Sequence, residues 1–451
     1  MFRSIAHVSP GANLRVAVVG SGPAGFYAGA ALLASDLDVE VDLIERLPTP
    51  WGLVRLGVAP DHPKIKALSR AFEKTAQQPG FRFFGNVEVG RDISQKELAD
   101  LYEAVVYTVG AQTDRRMGIP GEDLPGSFAA TELVAWYNGH PDFQHLSFDL
   151  SGERAVVIGN GNVALDVARM LALTEQELAS TDTTDAAIAA IVGSGIREIL
   201  VVGRRGPVQA AWTPVEVGEL GELEGADVIV EPAELELDPA SAAELEAAAP
   251  AVRRSVEHLR EFAARVPSGK PRAIVLRFLS SPVAILGGDR VEAIELVRNE
   301  LDPRGRAVPT DERETLACAV VFRSVGYRGV GVPGVPFDEG TGTIPNVGGR
   351  VEPGLYVAGW IKRGPSGVIG TNKKDANETV ERLLEDARAG LLRPRAAGSL
   401  EGLLAARGVE AVMYAGWEAI DLAERSAGEP HGRPRLKLSS WEELLAAARA
   451  K

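Results

Sequence analysis

Short apolar segments recur along the chain, and most of them are followed by a turn or by a stretch with helical periodicity. The clearest are Leu14–Val19 and Val39–Ile44, in which apolar side chains predominate. Strands are predicted at these segments and at residues 81–89, 104–109, 155–158, 199–202, 273–279, 291–297, 317–322 and 354–359. Helices are predicted at residues 26–33, 165–173, 242–264 with an interruption at Pro250, 373–384, and in several runs after residue 403. Buried strands that alternate with helices are typical of an α/β fold.

Two of the strand-to-helix turns are rich in glycine. Residues 20–25 have the sequence GSGPAG, and residues 159–164 have the sequence GNGNVA. In the first loop Gly20 allows the tight turn, Gly22 lets a phosphate approach the backbone, and Gly25 lets the helix pack on the strand. The N–H groups at such a helix start bind the pyrophosphate of a dinucleotide. One loop alone could also be an ordinary strand-to-helix turn, but two in the same context indicate two dinucleotide sites.

The residue at the end of the next strand differs between the two loops. After the first loop this strand ends at Glu45, at the usual spacing for a carboxylate that binds a ribose diol, as in FAD or NAD. After the second loop it is followed by Arg204 and Arg205, whose guanidinium groups suit a 2′-phosphate. The second site is therefore predicted to bind NADP rather than NAD.

The spacing in the second unit is irregular. From Ala164 to Arg204 it is about double the usual distance. Residues 174–194 are rich in Ala, Thr and acidic side chains, and an extra helix with a loop is predicted there. From spacing alone, Arg204 and Arg205 could also be solvated charges after a strand.

Two similar strand ends flank the second unit and suggest how the domains are connected. Residues 107–111 read YTVGA, and residues 323–327 read RSVGY. Such a pair is expected where one domain is inserted into another. We predict an α/β fold of two Rossmann-like domains, with the NADP-binding domain (residues 113–323) inserted in the FAD-binding domain (residues 1–112 and 324–451).

Composition narrows the possible functions. The chain has 451 residues and a net charge of -14, which argues against nucleic acid or an anionic membrane as the general partner. Its single cysteine, Cys318, is predicted to be a small buried strand residue. One cysteine cannot form an internal redox-active pair. The absence of a disulfide within the chain fits a reducing compartment, so a cytoplasmic location is predicted. No apolar stretch is long enough to span a membrane, and residues 1–13 do not have the pattern of a signal peptide. No His/Cys cluster with metal-ligand spacing is present, so no metal site is predicted.

Several long motifs are shared with one enzyme family. They are PTPWGLVR at residues 48–55, GVAPDHPKIK at 57–66, GNGNVALDVAR at 159–169, GRRGP at 203–207, GWIKRGP at 359–365 and GVIGTNKK at 367–374. With these motifs the chain resembles the adrenodoxin-reductase-like ferredoxin–NADP reductases of actinobacteria and mitochondria, and it does so over nearly its whole length, including residues 174–194.

The resemblance implies roles for matching residues. Beside the loop glycines Gly20, Gly22 and Gly25, those implied to bind FAD are Ala24, Glu45, Leu53, Val89, Trp360, Gly367, Val368 and Ile369. Those implied to bind NADP(H) are Arg115, Asn160, Gly161, Asn162, Val163, Arg204, Arg205 and Glu216, with Gly367 near the nicotinamide. His62 and Glu219 are implied to be polar residues near the reacting rings. From the residues alone, Leu53, Val89 and Trp360 would fit core positions, His62 a turn, and Glu216 and Glu219 the solvated face of a helix.

The implied activity is electron transfer from NADPH through FAD to a ferredoxin, with a downstream oxidase such as a cytochrome P450 as a further expectation. Because ferredoxins are acidic as a class and this chain is acidic too, attraction requires a local basic face. Candidates are Lys362, Arg363, Lys373 and Lys374, which could instead serve the cofactors or be solvated charges. Two other functions stay open: an NADPH dehydrogenase that reduces quinones or small acceptors, and a redox subunit that is active only in a complex. A monomer is predicted.

Overall fold

The computed structural model describes residues 13–367 and 369–450. These residues form two compact units. The first unit contains the described residues up to 58, residues 62–113 and the described residues from 326 onward. The second contains residues 59–61 and 114–325, so that it interrupts the first unit in the sequence.

The strands and helices are numbered along the chain. The strands are β1 (Leu14–Val19), β2 (Val39–Ile44), β3 (Phe81–Phe84), β4 (Ala104–Tyr107), β5 (Thr113–Asp114), β6 (Ser127–Ala129), β7 (Arg154–Ile158), β8 (Glu198–Val202), β9 (Ala226–Ile229), β10 (Arg272–Arg277), β11 (Ser280–Leu286), β12 (Ala293–Leu301), β13 (Ala307–Ala317), β14 (Val320–Arg323), β15 (Tyr327–Arg328), β16 (Arg350–Glu352) and β17 (Leu355–Val357).

The helices follow in the same order. They are α1 (Pro23–Leu33), α2 (Leu53–Leu56), α3 (Pro63–Lys66), α4 (Ser69–Ala76), α5 (Gln95–Leu101), α6 (Ala130–Tyr137), α7 (Asn162–Ala172), α8 (Glu175–Ala179), α9 (Asp185–Val192), α10 (Pro214–Leu220), α11 (Pro239–Ala247), α12 (Pro250–Ala263), α13 (Trp360–Arg363), α14 (Ile369–Arg388), α15 (Leu400–Ala406), α16 (Tyr414–Gly428) and α17 (Trp441–Arg449).

The first unit contains a six-stranded sheet in the order β16-β17-β4-β1-β2-β3. All neighbours are parallel except the edge pair β16 and β17. Helices α1 and α14 pack together on one face, and an aromatic cluster of Phe26, Trp51 and Phe72 lies in the same core. Because the chain leaves β1 toward β2 on one side and β4 lies on the other, the carboxyl end of β1 is a topological switch point, where ligands bind in sheets of this type.

Helix α16 is fixed to the first unit by a buried ion pair. The carboxylate of Glu424 is fully buried and accepts hydrogen bonds from Arg55 at 2.5 and 2.9 Å and from Arg435 at 3.0 Å. Burial alone would raise the pKa of Glu424, but the two guanidinium groups outweigh that effect and lower the pKa below its usual value. Arg55 also lies over the ring of Trp417. These contacts hold α2, which contains Arg55, against α16.

The second unit contains a parallel sheet in the order β6-β14-β7-β8-β10-β9. Helix α7 packs on one face of this sheet, together with α6, α10 and α12. The opposite face is covered by an antiparallel sheet of β11, β12 and β13, from which Ile285, Ile294 and Leu296 enter the core. Each Rossmann-like sheet is thus buried on both sides, as parallel sheets require.

The structure confirms the predicted α/β fold, with one Rossmann-like domain inserted in the other. Where the sequence predicts one extra helix and a loop at 174–194, the structure has two short helices, α8 and α9, joined by a loop. The strand predicted at 81–89 is shorter, because Gly85 bridges to Val412 and Asn86 turns with a positive φ. Among the described residues no helix has the length and apolar character needed to cross a membrane.

Candidate cofactor sites

The first glycine loop is built so that one of its glycines faces open space. A Cβ at Gly20 would lie 2.7 Å from the carbonyl oxygen of Thr108, and a Cβ at Gly25 would lie 2.1 Å from that of Gly20. Around Gly22, the N-terminal cap of α1, no atom of the described residues lies within 4 Å of a Cβ. Gly20 and Gly25 therefore serve the turn itself, and Gly22 leaves room for a phosphate at the positive end of α1.

Glu45 connects this loop to the end of β2. One carboxylate oxygen accepts hydrogen bonds from Ser21 N at 3.0 Å and Ser21 Oγ at 2.7 Å, and the other accepts from Leu47 N at 3.0 Å. These bonds use three of the roughly four acceptor positions of a carboxylate. The half-buried carboxylate is therefore oriented by the backbone and can accept a further hydrogen bond, as from a ribose hydroxyl.

The segment before α2 lies directly against the first loop. Trp51 N donates to Ser21 O at 3.1 Å, and a Cβ at Gly52 would lie 2.8 Å from Gly22 Cα. Trp51 itself has φ 84°, which is a strained value for a residue with a side chain. Leu53 follows and is 38% exposed, so the core alternative for Leu53 is wrong. Val89 is half-buried and packs on the core beside β4.

Another part of the first site follows β17. A Cβ at Gly359 would lie 2.7 Å from Cβ of Ala24, which brings the start of α13 beside the first loop. Trp360 is half-buried near the ring of Tyr327, with centroids 5.3 Å apart. Its Nε1 is buried and has no hydrogen-bond partner among the described residues. Gly367 has φ 79° and precedes α14, which begins at Ile369. Val368, also predicted to bind FAD, lies outside the described residues.

The four cations proposed as a basic face have different environments. Lys362 Nζ pairs with Asp375 at 2.8 Å and Glu378 at 2.7 Å, and its side chain is only 7% exposed. Arg363 is half-buried and donates from Nη2 to Asn372 Oδ1 at 3.0 Å. The interpretation as a surface cation is therefore wrong for Lys362, whereas Arg363 stays partly accessible. Lys373 and Lys374 are exposed on α14.

The second glycine loop has the same construction as the first. Gly159 has φ 135°, and a Cβ there would lie 2.2 Å from the carbonyl oxygen of Ser324. Gly161 caps α7, and a Cβ there would meet no described atom within 4 Å. Asn160 Nδ2 is buried without a hydrogen-bond partner among the described residues. Asn162 Oδ1 accepts from Thr213 N at 2.8 Å, and Val163 packs against the core below the loop.

The arginines that follow β8 carry charge that the second unit does not neutralise. Arg204 is exposed, and Arg205 is half-buried and donates to the carbonyl oxygen of Gln209 at 3.2 Å. Neither forms an ion pair within the described part of the chain. The side chain of Asn299 donates to the carbonyl oxygen of Arg204 at 2.9 Å and so holds the backbone between the two sheets. Arg115, before β6, is exposed.

A buried arginine that the sequence did not indicate organises the acids of the second unit. Arg169 on α7 contacts Asp61 at 2.5 Å, Asp166 at 2.8 Å, Glu216 at 3.4 Å and Glu219 at 3.9 Å. Burial alone would lower the pKa of Arg169, but the carboxylates, Asp61 first, raise it instead. Glu216 is 8% exposed, so the solvated-face alternative is wrong for it.

The remaining predicted residues are also located. His62 is buried at the N-terminal cap of α3. Cys318 is buried as predicted, and burial raises the pKa of its thiol to about 11. Among the residues that position the candidate sites, the sequence pattern missed Ser21, which binds Glu45, and Arg169, which pairs with Glu216. The sequence signals for them are weak: Ser21 lies between two loop glycines, and Arg169 lies one helical turn after Asp166. Neither position indicates the residue, distant in sequence, with which the side chain interacts.

Both glycine loops therefore fit a dinucleotide, on the evidence of their open second glycines and of the buried donors beside them. Residues 14–200 match the family model described as pyridine nucleotide-disulphide oxidoreductase. The chain is 54% identical to NADPH-ferredoxin reductase FprA of Mycobacterium tuberculosis, over 95% of this chain and 98% of that protein. It is 43% identical to the mitochondrial NADPH:adrenodoxin oxidoreductase of Arabidopsis thaliana, over 96% and 95% of the two chains.

A solved structure described as Mycobacterium tuberculosis FprA in complex with NADPH is also similar. It is 52% identical to this chain, with a TM-score of 0.93 over 97% of this chain and 100% of that chain. The similarity thus extends over nearly the whole chain and includes both units. The chain belongs to the family of adrenodoxin-reductase-like ferredoxin–NADP reductases.

Proposed function

We propose that this protein is an FAD-dependent oxidoreductase that takes hydride from NADPH and passes single electrons to a ferredoxin. The observation that carries the proposal is the contrast between two loops of the same construction. In the first unit the strand after the loop ends in the oriented carboxylate of Glu45. In the second it ends in Arg204 and Arg205, which have no carboxylate partner within the described residues. The carboxylate of Glu45 suits the ribose of FAD, and the two arginines suit the 2′-phosphate of NADPH.

The chain's own residues hold and orient FAD in the first unit. Gly22 gives the pyrophosphate access to the N-terminus of α1, and Glu45 accepts a hydrogen bond from the adenosine ribose. In this proposal the half-buried Val89 contacts the adenine, and the exposed Leu53 and the half-buried Trp360 contact the flavin. FAD, when bound, accepts two electrons as hydride and releases them one at a time. The protein supplies position and exclusion of water.

Residues of the second unit select NADPH. Gly161 leaves space for the pyrophosphate at the start of α7, and Asn160 has a buried amide donor free to bind it. Arg204 and Arg205 bind the 2′-phosphate, since guanidinium groups form charge-assisted hydrogen bonds with phosphate oxygens. Arg115 and Glu216 contact the rest of the nucleotide in this proposal, and His62 and Glu219 are polar residues near the reacting rings.

The electron acceptor is a separate protein. An internal disulfide that accepts electrons from the flavin would need a pair of cysteines, and the chain has only Cys318, which is buried. An iron–sulfur protein accepts single electrons directly. We propose a cytoplasmic monomer that supplies reduced ferredoxin to a downstream oxidase such as a cytochrome P450, and the single cysteine supports the reducing compartment.

An anaerobic titration tests both cofactors together. The purified protein, reconstituted with FAD, is titrated with NADPH and, separately, with NADH while the flavin absorbance is followed. We expect stoichiometric bleaching by NADPH and much slower bleaching by NADH. An equal response to both nucleotides would contradict the roles of Arg204 and Arg205, and failure to bind FAD would contradict the function as a whole.

A second assay tests the acceptor. Cytochrome c reduction by the holoenzyme and NADPH is measured with and without added ferredoxin. Acceleration by ferredoxin supports the proposed activity. If quinones are reduced rapidly and added ferredoxin does not change the rate, the protein is an NADPH dehydrogenase instead. If NADPH bleaches the flavin but no free acceptor is turned over, the protein is a subunit that works only in a complex.

A further inference from the structure

Helix α13 presents buried hydrogen-bond donors that the first unit leaves without acceptors. They are Nε1 of Trp360 and both Nε and Nη1 of Arg363, and none has a partner among the described residues. The remaining guanidinium nitrogen, Nη2, donates to the neutral amide oxygen of Asn372. Three unpaired donors within four residues are unusual, because buried polar groups are normally hydrogen-bonded.

The neighbouring cation shows that the fold can neutralise charge at this position. Lys362 is adjacent in sequence and pairs with two carboxylates, those of Asp375 and Glu378. Arg363 has no carboxylate partner in the described residues, although Asp375 lies only three residues from Asn372 on the same helix. Within the described residues the charge of Arg363 therefore has no carboxylate partner, which leaves it available for a bound anion.

The position of α13 indicates where that group binds. Gly359, at the start of α13, touches Ala24 of the first glycine loop, with a built Cβ 2.7 Å from the alanine Cβ. Asn372, which holds Arg363, lies 3.7 Å from the same built Cβ through its Oδ1. Helix α14 begins at Ile369 and runs for 20 residues, so its positive end adds to the charge beside α13. The unpaired nitrogens of Trp360 and Arg363 are all hydrogen-bond donors, so the group that fits them is an anionic acceptor.

We propose that Arg363, together with the indole N–H of Trp360, forms a binding site for negatively charged oxygen or nitrogen atoms of the FAD. This inference rests on the proposed function and adds a residue to its cofactor site. Two parts of FAD have the required chemistry: the pyrophosphate, which is always charged, and the pyrimidine edge of the flavin ring, which gains negative charge on reduction. A guanidinium suits both, since it stays charged at all relevant pH values and donates from a planar group.

The test compares Arg363→Gln and Arg363→Lys with Lys374→Gln, an exposed cation on α14 that serves as the matched control. For Arg363→Gln we expect the dissociation constant of FAD for the FAD-free protein to rise about ten- to a hundredfold, the range for loss of hydrogen bonds to a charged group. Arg363→Lys keeps the charge but not the planar donors, so a smaller rise is expected. Lys374→Gln should match the wild type.

Stability of the FAD-free protein separates a binding role from a structural one. The buried Nε and Nη1 of Arg363 have no acceptor in the described residues and destabilise the empty fold, so FAD-free Arg363→Gln should unfold at the same temperature as the wild type or higher. The additional stability gained on adding FAD should shrink. If Arg363→Gln unfolds at a lower temperature without FAD and its affinity for FAD is unchanged, Arg363 is a structural residue and the proposal is overturned.

The flavin potential distinguishes the two parts of the cofactor. Equal weakening of oxidised and reduced FAD leaves the potential unchanged and assigns Arg363 to the pyrophosphate. Greater weakening of reduced FAD lowers the potential, by about 30 mV for each tenfold difference in a two-electron couple, and assigns Arg363 to the flavin ring. Unchanged affinity together with an unchanged potential overturns the inference while the wild type still binds FAD and reacts with NADPH. A wild type that binds no FAD would instead refute the proposed function.

Discussion

The substitution Gly22→Ala tests the first glycine loop with a change of one methyl group. Gly22 has φ -75° and ψ -176°, an extended conformation that alanine adopts without strain. No described atom lies within 4 Å of the added Cβ. The FAD-free variant should therefore fold normally and should even gain about 0.4–1 kcal/mol, because alanine reduces the freedom of the unfolded chain.

The same methyl group should strongly weaken FAD binding. It occupies the space through which the pyrophosphate reaches the N–H groups at the start of α1. Loss of two hydrogen bonds to a charged group costs about 1.5–3 kcal/mol each. The dissociation constant of FAD should then rise roughly a hundredfold to ten-thousandfold, since each 1.4 kcal/mol is about a factor of ten.

The assay has two readouts on the same preparation. The unfolding temperature is measured without FAD, and FAD affinity is measured by fluorescence titration. Gly25→Ala is the contrasting variant, because its Cβ would lie 2.1 Å from the carbonyl oxygen of Gly20 and should destabilise the protein even without FAD. Gly161→Ala is the matched control, which should spare FAD and weaken NADPH. Wild-type FAD affinity in a folded Gly22→Ala protein would refute the placement of the pyrophosphate.

Four further outcomes are expected. Replacing both Arg204 and Arg205 by Ala should lower kcat/KM for NADPH at least a hundredfold and leave kcat/KM for NADH nearly unchanged in steady-state assays. An equal loss with both nucleotides would contradict 2′-phosphate binding. Glu424→Ala should cost about 3–5 kcal/mol of unfolding free energy in denaturant titrations, because Arg55 is left buried and unpaired, whereas a loss below 1 kcal/mol would show that this ion pair is unimportant. Because the pKa of Glu424 is lowered in the folded protein, its ionisation stabilises the fold at pH values above the unfolded pKa of 4.5. The unfolding free energy of the wild type should therefore fall as the pH drops from 4.5 toward the folded pKa, and it should fall more steeply than that of Glu424→Gln. Parallel pH curves for the two proteins would contradict this. Cys318 should resist iodoacetamide at pH 8 until the protein unfolds, as judged by mass spectrometry, whereas rapid labelling of the native protein would contradict its burial and raised pKa.

The features that the sequence predicted well are those set by local backbone requirements. The glycine loops had to be glycine because Cβ atoms at Gly20, Gly25 and Gly159 would collide with nearby carbonyl oxygens. Strands β1 and β2 match their predicted ranges because buried parallel strands are predominantly apolar. Glu45 lies at the strand end where its distance from the loop placed it.

Features that depend on distant partners could not be predicted. Nothing near Lys362 in the sequence indicates that Asp375 and Glu378 neutralise it, while Arg363 beside it keeps its charge. Strand β13 was missed because most of its residues are exposed and polar, so it lacks the apolar pattern of a buried strand. Arg169 likewise depends for its role on acids far away in the sequence, among them Asp61.

The interruption of the first unit by the second has a consequence for synthesis on the ribosome. Strand β4 is made before residue 114, but β17, its neighbour in the sheet, is made only after the roughly 200 residues of the insertion. At about 5–20 residues per second this is a delay of roughly 10–40 s. During that time β4 is an open sheet edge, and the face of α1 that later packs on α14 is uncovered.

The inserted unit, by contrast, is continuous apart from residues 59–61, and all strands of its sheets lie between residues 114 and 325. It can therefore fold on the nascent chain while the first unit is still incomplete. Gly359 and Trp360, which lie beside the first glycine loop and belong to the proposed flavin site, emerge after that. The order of synthesis thus completes the inserted unit before the first unit, and the edge of β4 is open to pairing with other chains in the interval.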